Sequence, residues 1–144
     1  MASVRKEIPL AAGVATVWDA LRDVGALHTR LVPGFVTDCR LDGDARIVTF
    51  ANGQVARERI VDVSDADRRV VWAISDPPFS HYRAAAQVFP DGAHGSRLVW
   101  ISDFLPHALR DRIDGMMTLG ASAMQKAFAE EAAATRDPAS RSRP

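Results

Sequence analysis

Residues 35–63 read FVTDCRLDGDARIVTFANGQVARERIVDV. Apolar and polar residues alternate through three short runs, 35–41, 46–51 and 55–63, and Asp42-Gly43 and Asn52-Gly53 stand between them. Alternation with a period of two is the signature of a half-buried strand. Asp-Gly and Asn-Gly pairs supply the positive φ that tight hairpin turns require. This stretch therefore predicts three antiparallel strands in a meander.

Downstream, the pattern continues through strands 69–75, 82–89 and 96–104, with polar or glycine-containing turns at 64–68 and 91–95. Pro106 ends the last of them. From about 108 to 134, Leu109, Ile113, Met116, Met117, Gly120, Met124 and Phe128 recur at helical spacing. A helix of that length is about 40 Å long, enough to cross a whole sheet. Upstream, residues 3–10 alternate as a strand, with Pro9 marking an exit or an edge. Val14, Val17, Trp18 and Leu21 predict a helix over 11–22, and a second short helix over 25–31 stops at Pro33-Gly34. The order is strand, two helices, six strands, long helix. It predicts an α+β helix-grip fold: a seven-stranded curved antiparallel sheet wrapped on a long C-terminal helix, with two short helices between strands 1 and 2. The predicted domain is 1–134, and 135–144, rich in arginine, serine and proline, is a predicted disordered tail.

Composition narrows the function. The chain has 144 residues, the size of one domain with a real core. Its 18 basic and 18 acidic residues cancel, so no global field draws it to nucleic acid. No apolar run approaches the ~20 residues of a membrane span. The lone cysteine, Cys39, excludes an internal disulfide, and charges replace the apolar run of a signal peptide after Met1. Both fit a cytoplasmic protein. Sixteen arginines against two lysines, with abundant alanine, fit a GC-rich bacterial genome. His28, His81, His94 and His107 form no metal-ligand spacing, and there is no nucleophile elbow, phosphate-binding loop or dinucleotide fingerprint. No metal or cofactor is expected.

Five segments carry a family resemblance: Ala15-Thr16-Val17-Trp18-Asp19-Ala20-Leu21, Val32-Pro33-Gly34-Phe35, Arg57-Glu58-Arg59-Ile60, Asp67-Arg68-Arg69-Val70 and Trp100-Ile101-Ser102-Asp103-Phe104. In order and spacing the chain resembles the START/birch-pollen-allergen (SRPBCC) superfamily over residues 2–130, and within it the polyketide cyclase/dehydrase-like bacterial members. The resemblance implies a cavity for a small hydrophobic molecule between sheet and helix. It leaves activity open, because carriers, receptors, cyclases, oxygenase domains and chaperone activators share the fold.

Alternation selects the residues that face the helix. They are Phe35, Thr37, Cys39 and Leu41; Val48 and Phe50; Ala56, Glu58 and Ile60; Val70, Trp72 and Ile74; Tyr82, Ala84, Ala86 and Val88; and Leu98, Trp100, Ser102 and Phe104. Arg57 and Arg59 point to solvent. Small residues on both walls, including Ala84, Gly115, Gly120 and Ala123, predict incomplete filling, with room for bulk at Gly120 or Ala84. The expected ligand-binding set is Phe35, Thr37, Phe50, Ala56, Glu58, Trp72, Tyr82, Ala84, Trp100, Ser102, Met116, Leu119, Gly120 and Ala123. Glu58 and Tyr82 are the candidate catalytic groups: a carboxylate indoors must be paired, hydrated or protonated. Pairing with an arginine accounts for Glu58 without chemistry. Plant abscisic-acid receptors of the superfamily have a pocket glutamate in a similar Glu-Arg-apolar context, but the lysine that binds their ligand's carboxylate aligns with Thr37. The expected function is to bind or carry a lipid, polyketide or aromatic metabolite, as a monomer or homodimer. The alternatives are a cyclase or dehydratase with Glu58 as general base and a protein-interaction module of the chaperone-activator type.

Overall fold

A computed structural model of the chain describes residues 1–136, with side chains through 134. One antiparallel sheet holds seven strands: β1 (Ala2–Leu10), β2 (Val36–Asp42), β3 (Ala45–Phe50), β4 (Val55–Ser64), β5 (Arg69–Ala73), β6 (His81–Asp91) and β7 (Gly95–Leu105). The strand order is β1-β7-β6-β5-β4-β3-β2. Six strands form a meander, and β1 returns to pair with β7, leaving Pro9 on an edge strand. Helix α1 (Val14–Arg22) and one wide turn over Leu27–Leu31 lie between β1 and β2. That turn closes with Val32 N–H donating to the Leu27 carbonyl at 3.0 Å.

Helix α2 (Arg110–Arg136) follows a single tight turn at His107–Leu109. Its apolar stripe is buried at Ile113, Met117, Met124 and Phe128, as helical spacing requires. Contacts along its length set its direction: Arg110 donates to the Ser3 carbonyl, Lys6 pairs with Asp114, and Gln125 donates to the Pro9 carbonyl. The helix thus runs parallel to β1. It reaches Arg136, two residues beyond the predicted domain boundary; 137–144 of the predicted tail lie outside the described residues.

Two turns differ in register from the sequence reading. The β2–β3 loop is Gly43-Asp44, with Asp42 already paired to Ala45. The β3–β4 loop has three residues, Ala51 to Gly53, closed by Phe50 N–H donating to the Gln54 carbonyl at 2.8 Å. Gly53 at φ +87° takes the left-handed position that such loops give to glycine. A bulge also interrupts β2 between Val36 and Asp38. It places Thr37 and Asp38 both outward and Val36 and Cys39 inward. The expected inner set of Phe35, Thr37, Cys39 and Leu41 is corrected accordingly. Thr37 is exposed and donates to the Thr49 carbonyl, and Leu41 is exposed against Gly25.

Candidate functional site

Between the concave sheet face, α1, the Leu27–Leu31 turn and α2 lies a cavity of about 310 Å³. Its walls are mostly apolar. Leu21, Leu27, Leu31 and Val32 come from the α1 side. Phe35, Val36, Phe50, Ala56, Trp72, Ile74, Tyr82, Ala86, Leu98 and Trp100 come from the sheet and its loops. Leu109, Ile113, Met116, Met117 and Met124 come from the α2 side. Exposed lining residues mark the mouth: Gln54, Val55 and Arg57 at the β3–β4 hairpin, Asp76, Pro77 and Pro78 between β5 and β6, and Arg112 on α2.

Eight of the fourteen expected ligand-binding residues line this cavity: Phe35, Phe50, Ala56, Glu58, Trp72, Tyr82, Trp100 and Met116. The other six do not. Thr37 is turned out by the bulge. Leu119 is 63% exposed on the far face of α2. Ala84 is buried within the sheet packing, and Ala123 is half-buried against the core. Ser102 stands behind Tyr82, hydroxyl to hydroxyl at 3.1 Å. Gly120 is occupied from the other side: a Cβ there would lie 2.9 Å from Trp100 Cζ3 and 3.2 Å from Phe35 Cε2. The small residues of the helix therefore do not open the cavity. Gly120 admits an indole, and Gly115 faces open space.

Strand alternation holds over residues 55–60 of β4, before a register shift between Ile60 and Asp62. Glu58 is 6% exposed while Arg57 and Arg59 lie in solvent. Its partner is a residue the sequence reading passed over. Arg46, 2% exposed, sits directly across on β3. Its Nε donates to Glu58 Oε1 at 2.8 Å and its Nη1 to the Val24 carbonyl at 3.3 Å. Its guanidinium lies over Trp72, 5.2 Å from the ring centroid, which adds a cation–π contact. Part of the signal was available: Arg46 shares parity with Val48 and Phe50, and once the three-residue loop pairs Val48 with Ala56, Arg46 must pair with Glu58. Among the described residues, Arg46 Nη2 and Glu58 Oε2 make no hydrogen bond of their own, and both residues line the cavity.

Tyr82 lies against Phe79, ring centroids 4.7 Å apart. Burial pushes its phenol well above its ordinary value. The Ser102 hydrogen bond opposes that rise, the Glu58 charge adds to it, and Arg46 opposes it. The phenol is a proton holder and hydrogen-bond partner. The indole N–H of Trp100 is buried without a hydrogen-bond partner among the described residues; that of Trp72, also buried, lies near enough to the Tyr82 hydroxyl to oppose its rise but falls short of hydrogen-bonding geometry. No group of three or more His, Cys, Asp or Glu that could hold a metal ion occurs among the described residues. No described helix is long and apolar enough to cross a membrane.

A sheet gripping a long helix over an apolar cavity defines a START-like architecture. The family model described as polyketide cyclase / dehydrase and lipid transport matches residues 1–137, and the chain belongs to that family. Solved structures agree on the fold. A protein from Thermobifida fusca is 26% identical, with 94% of this chain and 96% of that chain covered and a TM-score of 0.75. A START superfamily protein from Mycobacterium smegmatis is 14% identical, with 90% and 98% covered and a TM-score of 0.74. Norcoclaurine synthase from Thalictrum flavum, in complex with dopamine and hydroxybenzaldehyde, is 17% identical, with 90% and 87% covered and a TM-score of 0.68. The comparison with curated proteins gives no match. Family and fold together make this a helix-grip domain of that family.

Proposed function

We propose that the protein binds and carries one small, largely apolar molecule in the cavity beneath α2. The observation that carries this reading is the cavity itself: about 310 Å³, walled by aliphatic, methionine and aromatic side chains, with one buried polar pair on its surface. That volume stands at the lower end of small-molecule pockets, about 300–1,000 Å³. It suits a compact one- or two-ring molecule better than a two-chain lipid. The Thalictrum flavum enzyme, seen with dopamine and hydroxybenzaldehyde, is a precedent for small aromatic ligands on this fold.

Carriage is favoured over catalysis by how the two candidate catalytic groups are used. A general base and a proton donor acting on one substrate need to converge on it. Here Glu58 is bonded to Arg46 and Tyr82 to Ser102, and burial makes the phenol a weak proton donor. Native mass spectrometry of the purified protein tests the reading. The expected result is a fraction of the protein carrying one added small mass, lost on denaturation, together with saturable binding of the neutral fluorescent probe Nile red. A ligand-free protein that also fails to bind the probe would overturn it.

A further inference from the structure

The polar pair makes the cavity selective in a way its apolar walls do not. On the carrier reading above, we infer that the ligand is electrically neutral and bears a hydroxyl or enol oxygen, which docks between Arg46 and Glu58. The pair is joined through one hydrogen bond, Arg46 Nε to Glu58 Oε1. That leaves Nη2 as a donor and Oε2 as an acceptor on two residues that line the cavity. A hydroxyl is both acceptor and donor, so it completes both atoms at once. A ketone would satisfy only Nη2.

Charge decides against an acid or an amine. The pair sums to zero, and the other charged residues that line the cavity, Arg57, Asp76 and Arg112, are exposed at its mouth. A carboxylate seated at Arg46 would put a second anion beside Glu58, and an ammonium at Glu58 a second cation beside Arg46. Either leaves one uncompensated charge in an apolar enclosure, which is strongly disfavoured. Selectivity for a neutral hydroxyl thus follows from a paired site, where an unpaired arginine would select an acid.

The test is displacement of Nile red near neutral pH by three probes of one shape: naphthalene, naphthol and naphthoate. The expected order is naphthol first, ahead of naphthalene by about tenfold or more, as for hydrogen bonds to charged groups, with naphthoate weakest. Glu58→Gln keeps an acceptor for Arg46 Nε but removes the negative charge. In that variant the order of naphthol and naphthoate should reverse. In Arg46→Met/Glu58→Met the ratio of naphthol to naphthalene affinity should fall to about one. If a variant does not fold, the order measured on the natural chain still decides. Naphthoate binding best to the natural chain, or naphthol no better than naphthalene, would overturn the inference and leave the carrier reading standing. Failure of the natural chain to bind Nile red at all would overturn both.

Discussion

Tyr82 is the chain's single tyrosine, so its ionisation can be followed without interference. Unfolded, a phenol ionises near its ordinary value of 10.0; in the fold, burial holds this one protonated well above that. The folded state therefore binds the proton more tightly. The stability this contributes is present below about pH 10 and is lost as the pH climbs through the folded value. Phenolate absorbance should stay absent from the native protein above pH 10 and appear together with unfolding. Cys39, whose thiol burial also pushes up, adds alkaline destabilisation of its own. The decisive comparison is therefore with Tyr82→Phe, in which stability should fall less steeply with pH. A phenolate that titrates near pH 10 in a folded protein would refute the buried environment. The same scale shows what sequence could and could not give. Glu58 was placed indoors because alternation held over residues 55–60 of β4, but its partner was hidden by the turn: a two-residue Asn52-Gly53 loop would pair Arg46 with Arg59, and only the three-residue loop brings it to Glu58. Thr37 was misplaced because a bulge inserts one residue, and no residue type in 35–39 announces it.

At the scale of elements, the strands and the long helix were legible because their periods are long and their turns carry Asp-Gly, Asn-Gly or Pro. What glycine does inside α2 was not. A glycine in a helix costs about 1 kcal/mol relative to alanine, whatever its purpose. Gly115 and Gly120 look alike in sequence and differ in surroundings. Gly115 faces open space, whereas Gly120 is roofed by Trp100, with Phe35 beside it. Gly115→Ala should therefore raise stability by about 0.5–1 kcal/mol. Gly120→Leu should lower it by ~1–3 kcal/mol, because a packed contact is overfilled and the indole has to move. The sequence reading expected room at Gly120, and the close approach of Trp100 removes it. Urea melts of the two variants check this. A Gly120→Leu protein as stable as the natural one would mean that α2 stands off from Trp100.

The whole molecule is organised around space that it does not fill. At about 24 cal/mol per Å³, a dry closed void of 310 Å³ would forfeit about 7 kcal/mol, comparable to the whole net stability of a domain. The open mouth makes that an upper bound, since water can enter, but apolar walls solvate poorly. A chain selected for stability alone would close such a space. Ala56 is the position that reads this out. It is half-buried on β4 beside the polar pair, lines the cavity, and has Val48 across the strand. Ala56→Phe should send its ring into the vacant volume. Stability should then rise by about 0.5–2 kcal/mol, as in other cavity-filling changes, while Nile red binding falls by tenfold or more. The opposite movement of the two readouts is the informative result. A filled core would respond to the same ring with loss of stability, and a cavity irrelevant to binding would leave the probe unaffected. Thermal melting and probe titration on one preparation distinguish these outcomes, and a parallel loss of both would mean that the sheet and helix close on each other with no room between them.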